Sequence, residues 1–172
     1  MSAFTAALFL WYWDRTRLRR TTSQWAVLGL LTGLMGNVYY PNVILTVFPA
    51  IEIVHLLRTR WRDSGRDFVT VSKLALDGGI FAVFFFASLF PTFLTRQIIY
   101  GSPFETGYPG ILTWNWTSPV LLKILFSSNH GMFAWTPLLL LAVLGLPFLI
   151  RRDALLGWGS LVTFLAFYYF IA

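Results

Sequence analysis

WAVLGLLTGLMGNVYYPNVILTVFPAIEIVHLL, residues 25–57, decides the fold. A hydrocarbon core of ~30 Å needs roughly 20 apolar residues per helix. This stretch is too long for one untilted span and a little short for two. Asn37 and Pro41 interrupt it, and Pro41 lacks the N–H that a continuing helix requires. The pattern predicts a helical hairpin or broken helix, out and back, with its tip near Asn37–Asn42; a single kinked span is the alternative. Gly29, Gly33 and Gly36 give the first half a small face of the G-x-x-x-G kind, which lets transmembrane helices approach closely. No GK[ST] follows, so the glycines are not a phosphate loop.

Further apolar stretches lie outward from this segment, at 3–13, 72–95, 132–150 and 154–171. The chain has 172 residues, 57% hydrophobic and 19% aromatic, with only 12% charged and a mean hydropathy of +0.67. A soluble domain has about a quarter of its residues charged. Disorder, a coiled coil and an ordinary globular enzyme are therefore excluded, and the expected class is an all-α, polytopic transmembrane helix bundle. With no cysteine there are no disulfides, thiolate metal sites or cysteine nucleophiles. The first stretch, AFTAALFLWYW, is too short to cross, and it lacks both the preceding positive charge and the cleavage site of a signal peptide. FLAFYYFIA closes the chain inside an apolar run. Both ends read as those of a piece of a longer membrane protein, a single membrane domain over 1–172.

A net charge of +6 and a pI near 10.1 raise the question of nucleic acid, but the placement of the charges answers it. If the hairpin returns to its own side, Arg15, Arg17, Arg19, Arg20, Arg58, Arg60, Arg62, Arg66, Lys73, Arg151 and Arg152 share one face of the membrane. Only Arg96 and Lys123 remain for the other. Basic residues accumulate in cytoplasmic loops, which predicts a multi-pass protein of the inner (cytoplasmic) membrane with its basic loops inside, and no nucleic-acid partner.

The outer face then holds residues 96–131, the longest stretch outside a span. Gly101, Pro103, Gly107, Pro109 and Gly110 prevent a continuous helix there. Ser118-Pro119 is a helix start, making VLLKILF a short apolar helix at the membrane surface. A long aromatic-rich loop is more than a connector needs, so function is sought here. The loop gathers Arg96, Tyr100, Glu105, Tyr108, Trp114, Trp116, Lys123, Asn129 and His130. Cations under aromatics suit an anionic head group, and indoles and phenols suit a sugar ring. An ordinary aromatic belt with snorkelling cations explains Trp114, Trp116 and Lys123 equally well, but Glu105 and Asn129-His130 less well. Elsewhere the bland reading prevails. Glu52-x-x-His55 is a single motif where a di-metal bundle needs two, and reads as an interfacial ion pair. Asp77 is near enough to the interface to be solvated or paired with Lys73. Asn115-Trp116-Thr117 is a short, common glycosylation pattern and is discounted.

Three stretches taken together resemble a known family. WAVLGLLTGLMGNVYYPNVILTVFPAI (25–51) is similar to the glycine-rich helix, polar break and apolar helix of bacterial GT-C class integral-membrane glycosyltransferases, the superfamily of protein mannosyltransferase-like and aminoarabinose-transferase-like enzymes. IIYGSPFETGYPG (98–110) resembles their outer-loop G-S-P-x-x-T-G-Y element. LFSSNHGMFAWTPLLLLAVLGL (125–146) resembles the stretch where that loop re-enters the membrane. The resemblance implies transfer of a hexosyl or pentosyl group from a polyprenyl-phosphate donor to an acceptor on the outer face, serving the cell envelope. It implies that Glu105, Tyr108, Asn129 and His130 belong to elements facing the active-site cavity. His130, Lys123, Arg96 and Asn129 would meet the donor phosphate, and Glu105, Tyr108 and Trp114 the substrate. It places the general base in a first outer loop near the start of such enzymes, absent here, so the catalytic residues stay unknown and the chain alone is expected to be inactive. Members often carry an arginine or lysine near Asn129–His130; here His130 is the one candidate cation in that stretch. No cofactor and no metal site are expected, though a divalent ion remains compatible. The competing class is a non-catalytic membrane subunit or part of a lipid or solute transporter, but no internal repeat of the kind transporters show is visible.

Overall fold

The computed structural model describes residues 1–64, 68–105, 121–127 and 131–171. These residues are all-helical, without a strand. They divide into two compact units, Met1–Gly107 and Tyr108–Ala172. Among the described residues, three helices are long and apolar enough to cross a membrane: Tyr40–Thr59, Val71–Tyr100 and Ala154–Ile171. By length and composition these are helices suited to a membrane. They are fewer than the apolar stretches read from the sequence, because two of those form helices of only 17 and 16 residues, roughly 25 Å each at 1.5 Å per residue.

In the first unit, α1 (Ser2–Thr16) and α2 (Thr22–Val38) are joined by a five-residue turn. A capping box starts α2: the Thr21 hydroxyl accepts from the Gln24 N–H, and the Gln24 side chain accepts from the Thr21 N–H at 2.9 Å, so two otherwise orphaned donors satisfy each other's residues. α2 stops at Tyr39. Pro41 holds the next seven residues, Tyr40–Thr46, in a 3-10 helix, and α3 (Val47–Ser64) continues from it.

The direction of each helix follows from its contacts. Asn42 donates to the Ser2 hydroxyl at 3.0 Å, the Trp13 and Phe48 rings meet edge-on at 5.0 Å, and Leu18 reaches Glu52. The 3-10 segment and α3 therefore run parallel to α1 and return the chain to the end where α2 began. From there α4 (Phe68–Tyr100) runs parallel to α2, with Thr22 against Asp77 at one end and Asn37 against Ser88 and Thr92 at the other.

Glycine sets how closely α2 and α4 pack. A Cβ on Gly29 would collide with the Phe81 carbonyl, and one on Gly33 would come within 2.5 Å of Ser88 Cβ and 2.7 Å of the Phe85 oxygen. Around this contact Phe9, Trp13, Trp25, Leu28, Met35, Leu45, Phe48 and Leu74 are buried. The opposite face of α4 exposes Val83, Phe86, Phe90, Leu94 and Ile98, three or four residues apart and so one continuous apolar stripe. α4 outruns α2 and ends at Gly101, whose positive φ of 75° suits a residue without Cβ. Its N–H donates to the Gln97 carbonyl at 3.0 Å.

The second unit comprises α5 (Leu121–Phe126), α6 (Met132–Trp135), α7 (Pro137–Arg152) and α8 (Ala154–Ile171). Pro137 opens α7, as proline does where the N–H is unneeded. Asp153 caps α8 by accepting from the Leu156 N–H at 3.1 Å. Gly157 lets α8 fold against α7, since a Cβ there would lie 2.5 Å from Ile150 Cα.

Gly33→Leu is expected to force α2 and α4 apart and to lower unfolding stability in detergent by about 1–3 kcal/mol. Gly78→Ala, on the same α4 but with nothing within 4 Å of the added carbon, is expected to change it by no more than ~0.5 kcal/mol. Equal effects from the two substitutions would show that the glycine contact does not hold the helices together.

Candidate functional site

The best-organised polar cluster lies where the turn between α1 and α2 packs against Glu52 of α3 and Asp77 of α4. The α1–α2 turn makes it possible. Leu18 adopts a left-handed backbone with φ 67°, a strained state for a residue with a Cβ. The Leu18 N–H is satisfied there by Glu52 Oε1 at 2.9 Å. This geometry turns Arg20 inward.

Arg20 is saturated with partners. Nη1 meets Glu52 Oε2 at 3.0 Å, Nε donates to the Thr16 hydroxyl at 3.0 Å and Nη2 to the Trp13 carbonyl at 3.3 Å. The guanidinium lies 4.3 Å from the centre of the Trp25 ring, a cation–π distance. The side chains of Arg20 and Glu52 are 1% and 0% exposed. Burial pushes the Arg20 guanidinium down from its ordinary value while Glu52 draws it back up, and arginine stays cationic throughout. Next to the pair, the Thr22 hydroxyl donates to Asp77 Oδ1 at 2.8 Å.

Arg20, Glu52 and Asp77 border a cavity of about 30 Å³ together with Leu18, Trp25, Leu56, Lys73 and Leu74. That is room for about one water molecule and not for a sugar or a lipid head group. The chemistry open to this cluster is mechanical: two opposite charges removed from water and satisfied by each other. The expectation for Asp77 is corrected here. It is buried and held by Thr22, whereas Lys73 is exposed. Glu52 is an ion-pair residue as expected, but with Arg20; His55, one turn on, is exposed. Sequence reading missed Arg20 and Thr22 because their partners lie 32 and 55 positions away. The nearest local signal was a threonine cap directly after an arginine.

Of the residues expected to bind substrate, three are described. Arg96 is half-buried near the end of α4, at the opposite end of the first unit from Arg20. Glu105 is exposed just beyond it, in a turn where Phe104 packs on Phe93 at 5.9 Å; Arg96 and Glu105 form no ion pair. Lys123 is exposed on α5, in the second unit. Tyr108, Trp114, Asn129 and His130 lie outside the described residues. Among the described residues no three His, Asp or Glu side chains gather as metal ligands would.

Glu52→Gln should leave a buried guanidinium without its counter-charge and cost about 3–5 kcal/mol of unfolding stability. Replacing both partners, Arg20→Met with Glu52→Met, should recover most of that loss, as read by denaturant unfolding in detergent. A double variant as unstable as Glu52→Gln alone would show that the pair matters for something other than charge compensation.

Compared with known proteins, the chain matches no family model, no curated protein and no solved structure.

Proposed function

We propose that this chain belongs to a membrane glycosyltransferase of the GT-C class, one that moves a sugar from a polyprenyl-phosphate donor to an acceptor at the outer face of the cytoplasmic membrane. The observation that carries the proposal is the order of three motif-like stretches, 25–51, 98–110 and 125–146, along one apolar chain. The geometry is compatible with it in two respects. Arg96 and Glu105 stand at the end of the first unit opposite the arginine-rich end. Lys123 is an exposed cation on a short helix otherwise made of Leu, Ile and Phe.

A lipid-phosphate donor presents its anion at the interface above an apolar groove. Cations there stabilise the leaving phosphate as the glycosidic bond breaks, and a carboxylate takes the acceptor's proton. Among the described carboxylates, Glu52 and Asp77 are buried and bound, so neither is free to act as that base. Lys123, Arg96, Asn129 and His130 are assigned here to the donor phosphate, and Glu105, Tyr108 and Trp114 to the sugar-bearing side of the loop.

One observation favours the second reading, a non-catalytic membrane subunit or transporter part. The most highly organised charged residues, Arg20 and Glu52, are engaged entirely with the protein itself. A titration of the chain in nanodiscs with polyprenyl phosphate separates the two. Saturable binding, weakened about tenfold or more by Lys123→Ala or His130→Ala as a charge-assisted contact is lost, is the expected result. Absent binding, or binding indifferent to both substitutions, would transfer the assignment to the subunit or transporter.

A further inference from the structure

The end of the first unit that holds the Arg20–Glu52 pair also presents cations that no described acid neutralises. Arg15 and Arg19 flank the α1–α2 turn, Arg58 and Arg62 lie on the last turns of α3, and Lys73 lies near the start of α4. All five are exposed. The acids with described side chains at this end are already engaged: Asp14 with Arg17 at 3.1 Å, Glu52 with Arg20, and Asp77 with Thr22. The helix directions place all five toward the same end of the first unit, although they span 58 positions of sequence.

Their level matters as much as their number. The apolar segments long enough to cross a membrane end at Thr59 and begin again at Val71, so Arg58, Arg62 and Lys73 mark the border between lipid tail and water. Trp11, Leu18, Val54 and Leu76 expose apolar surface at or beside the same border. A cation at that level faces the phosphate layer. Arginine's planar fork matches a phosphate's oxygens in pairs, and juxtamembrane cations are drawn to anionic lipid within a Debye length.

We propose that Arg15, Arg19, Arg58, Arg62 and Lys73 form a collar that binds the head groups of anionic phospholipids, drawing them around this end of the protein in preference to neutral ones. This rests on the membrane character of the chain alone, and stands or falls separately from the glycosyltransferase proposal.

The test uses the full chain in mixed micelles of phosphatidylglycerol and phosphatidylcholine in equal amounts, with the retained lipids counted by native mass spectrometry. Wild type is expected to retain phosphatidylglycerol over phosphatidylcholine by at least about fivefold, less so as sodium chloride rises from about 0.05 to 0.5 M. The combined variant Arg15→Gln, Arg19→Gln, Arg58→Gln, Arg62→Gln, Lys73→Gln changes only exposed side chains. It should unfold at the wild-type denaturant concentration and retain the two lipids about equally. Inorganic phosphate at comparable concentration should not strip the lipid, which distinguishes a head group held in a leaflet from free phosphate. Equal retention by wild type, a preference that survives in the variant, or displacement of the lipid by a short RNA would each overturn the proposal.

Discussion

The ion pair between Arg20 and Glu52 is the constraint on which the first unit depends. An isolated charge at either position would carry a desolvation cost of several kcal/mol, and only the presence of both, with Thr16, Trp13 and the Leu18 N–H in their places, offsets it. The pair therefore does more than join two residues. It fixes the left-handed turn at Leu18 and brings the start of α2 beside the middle of α3, while Thr22 and Asp77 tie the same start of α2 to α4 about nine residues in from its first turn. One polar centre thus registers the α1–α2 turn against the bodies of α3 and α4. At the far end, the Asn37 side chain, bonded to the Ser88 carbonyl and the Thr92 hydroxyl, repeats the device without charge.

Between these two polar ends the packing is left to shape. In lipid, apolar surfaces do not drive helices together as they do in water, so close backbone approach and hydrogen bonds must do so. Gly29 and Gly33 supply the approach and the two polar ends supply the bonds. The long apolar stripe of α4 on the other side is free for lipid. Polar groups are thus concentrated at the ends of the α2–α4 contact, where they can be satisfied, and are nearly absent from its middle.

Helical, lipid-facing character was legible from composition alone, because so few charges over so many apolar residues leave no soluble alternative. The break after Asn37 was legible too, since Pro41 cannot continue a helix whatever surrounds it. The count of long apolar helices was not: α2, at 17 residues, outruns the apolar stretch 25–36 yet stays short, and the stretch 132–150 is divided at Thr136–Pro137 into helices of 4 and 16 residues. Nor was the polar centre legible. Glu52 and Asp77 drew attention as carboxylates near a membrane, but the natural guess for each was a neighbour one helical turn away. Tertiary structure gave each a partner from α1–α2 instead, and periodicity carries no information about such distant pairs. For residues 96–131 the sequence pattern remains the fuller guide: Arg96, Glu105 and Lys123 have described positions, and the proposal that they serve a lipid-linked donor rests on the sequence resemblance alone.

The parallel contact of α2 with α4 also has a bearing on how the protein is made. Its hydrogen bonds join residues 51 and 55 positions apart, with the whole of the return segment in between. During synthesis at about 5–20 residues per second, the glycine face of α2 waits roughly 3–10 s before α4 exists to cover it. For that interval a surface shaped for close helix contact is open to any other small-residue helix nearby. The Thr21 cap and the neighbouring α1 are complete by then, so α2 waits as half of a finished hairpin and not as a lone helix. The vulnerable moment in this protein's biogenesis thus falls between the emergence of the second helix and the fourth, and that is where an insertase or a chaperone would have the most to protect.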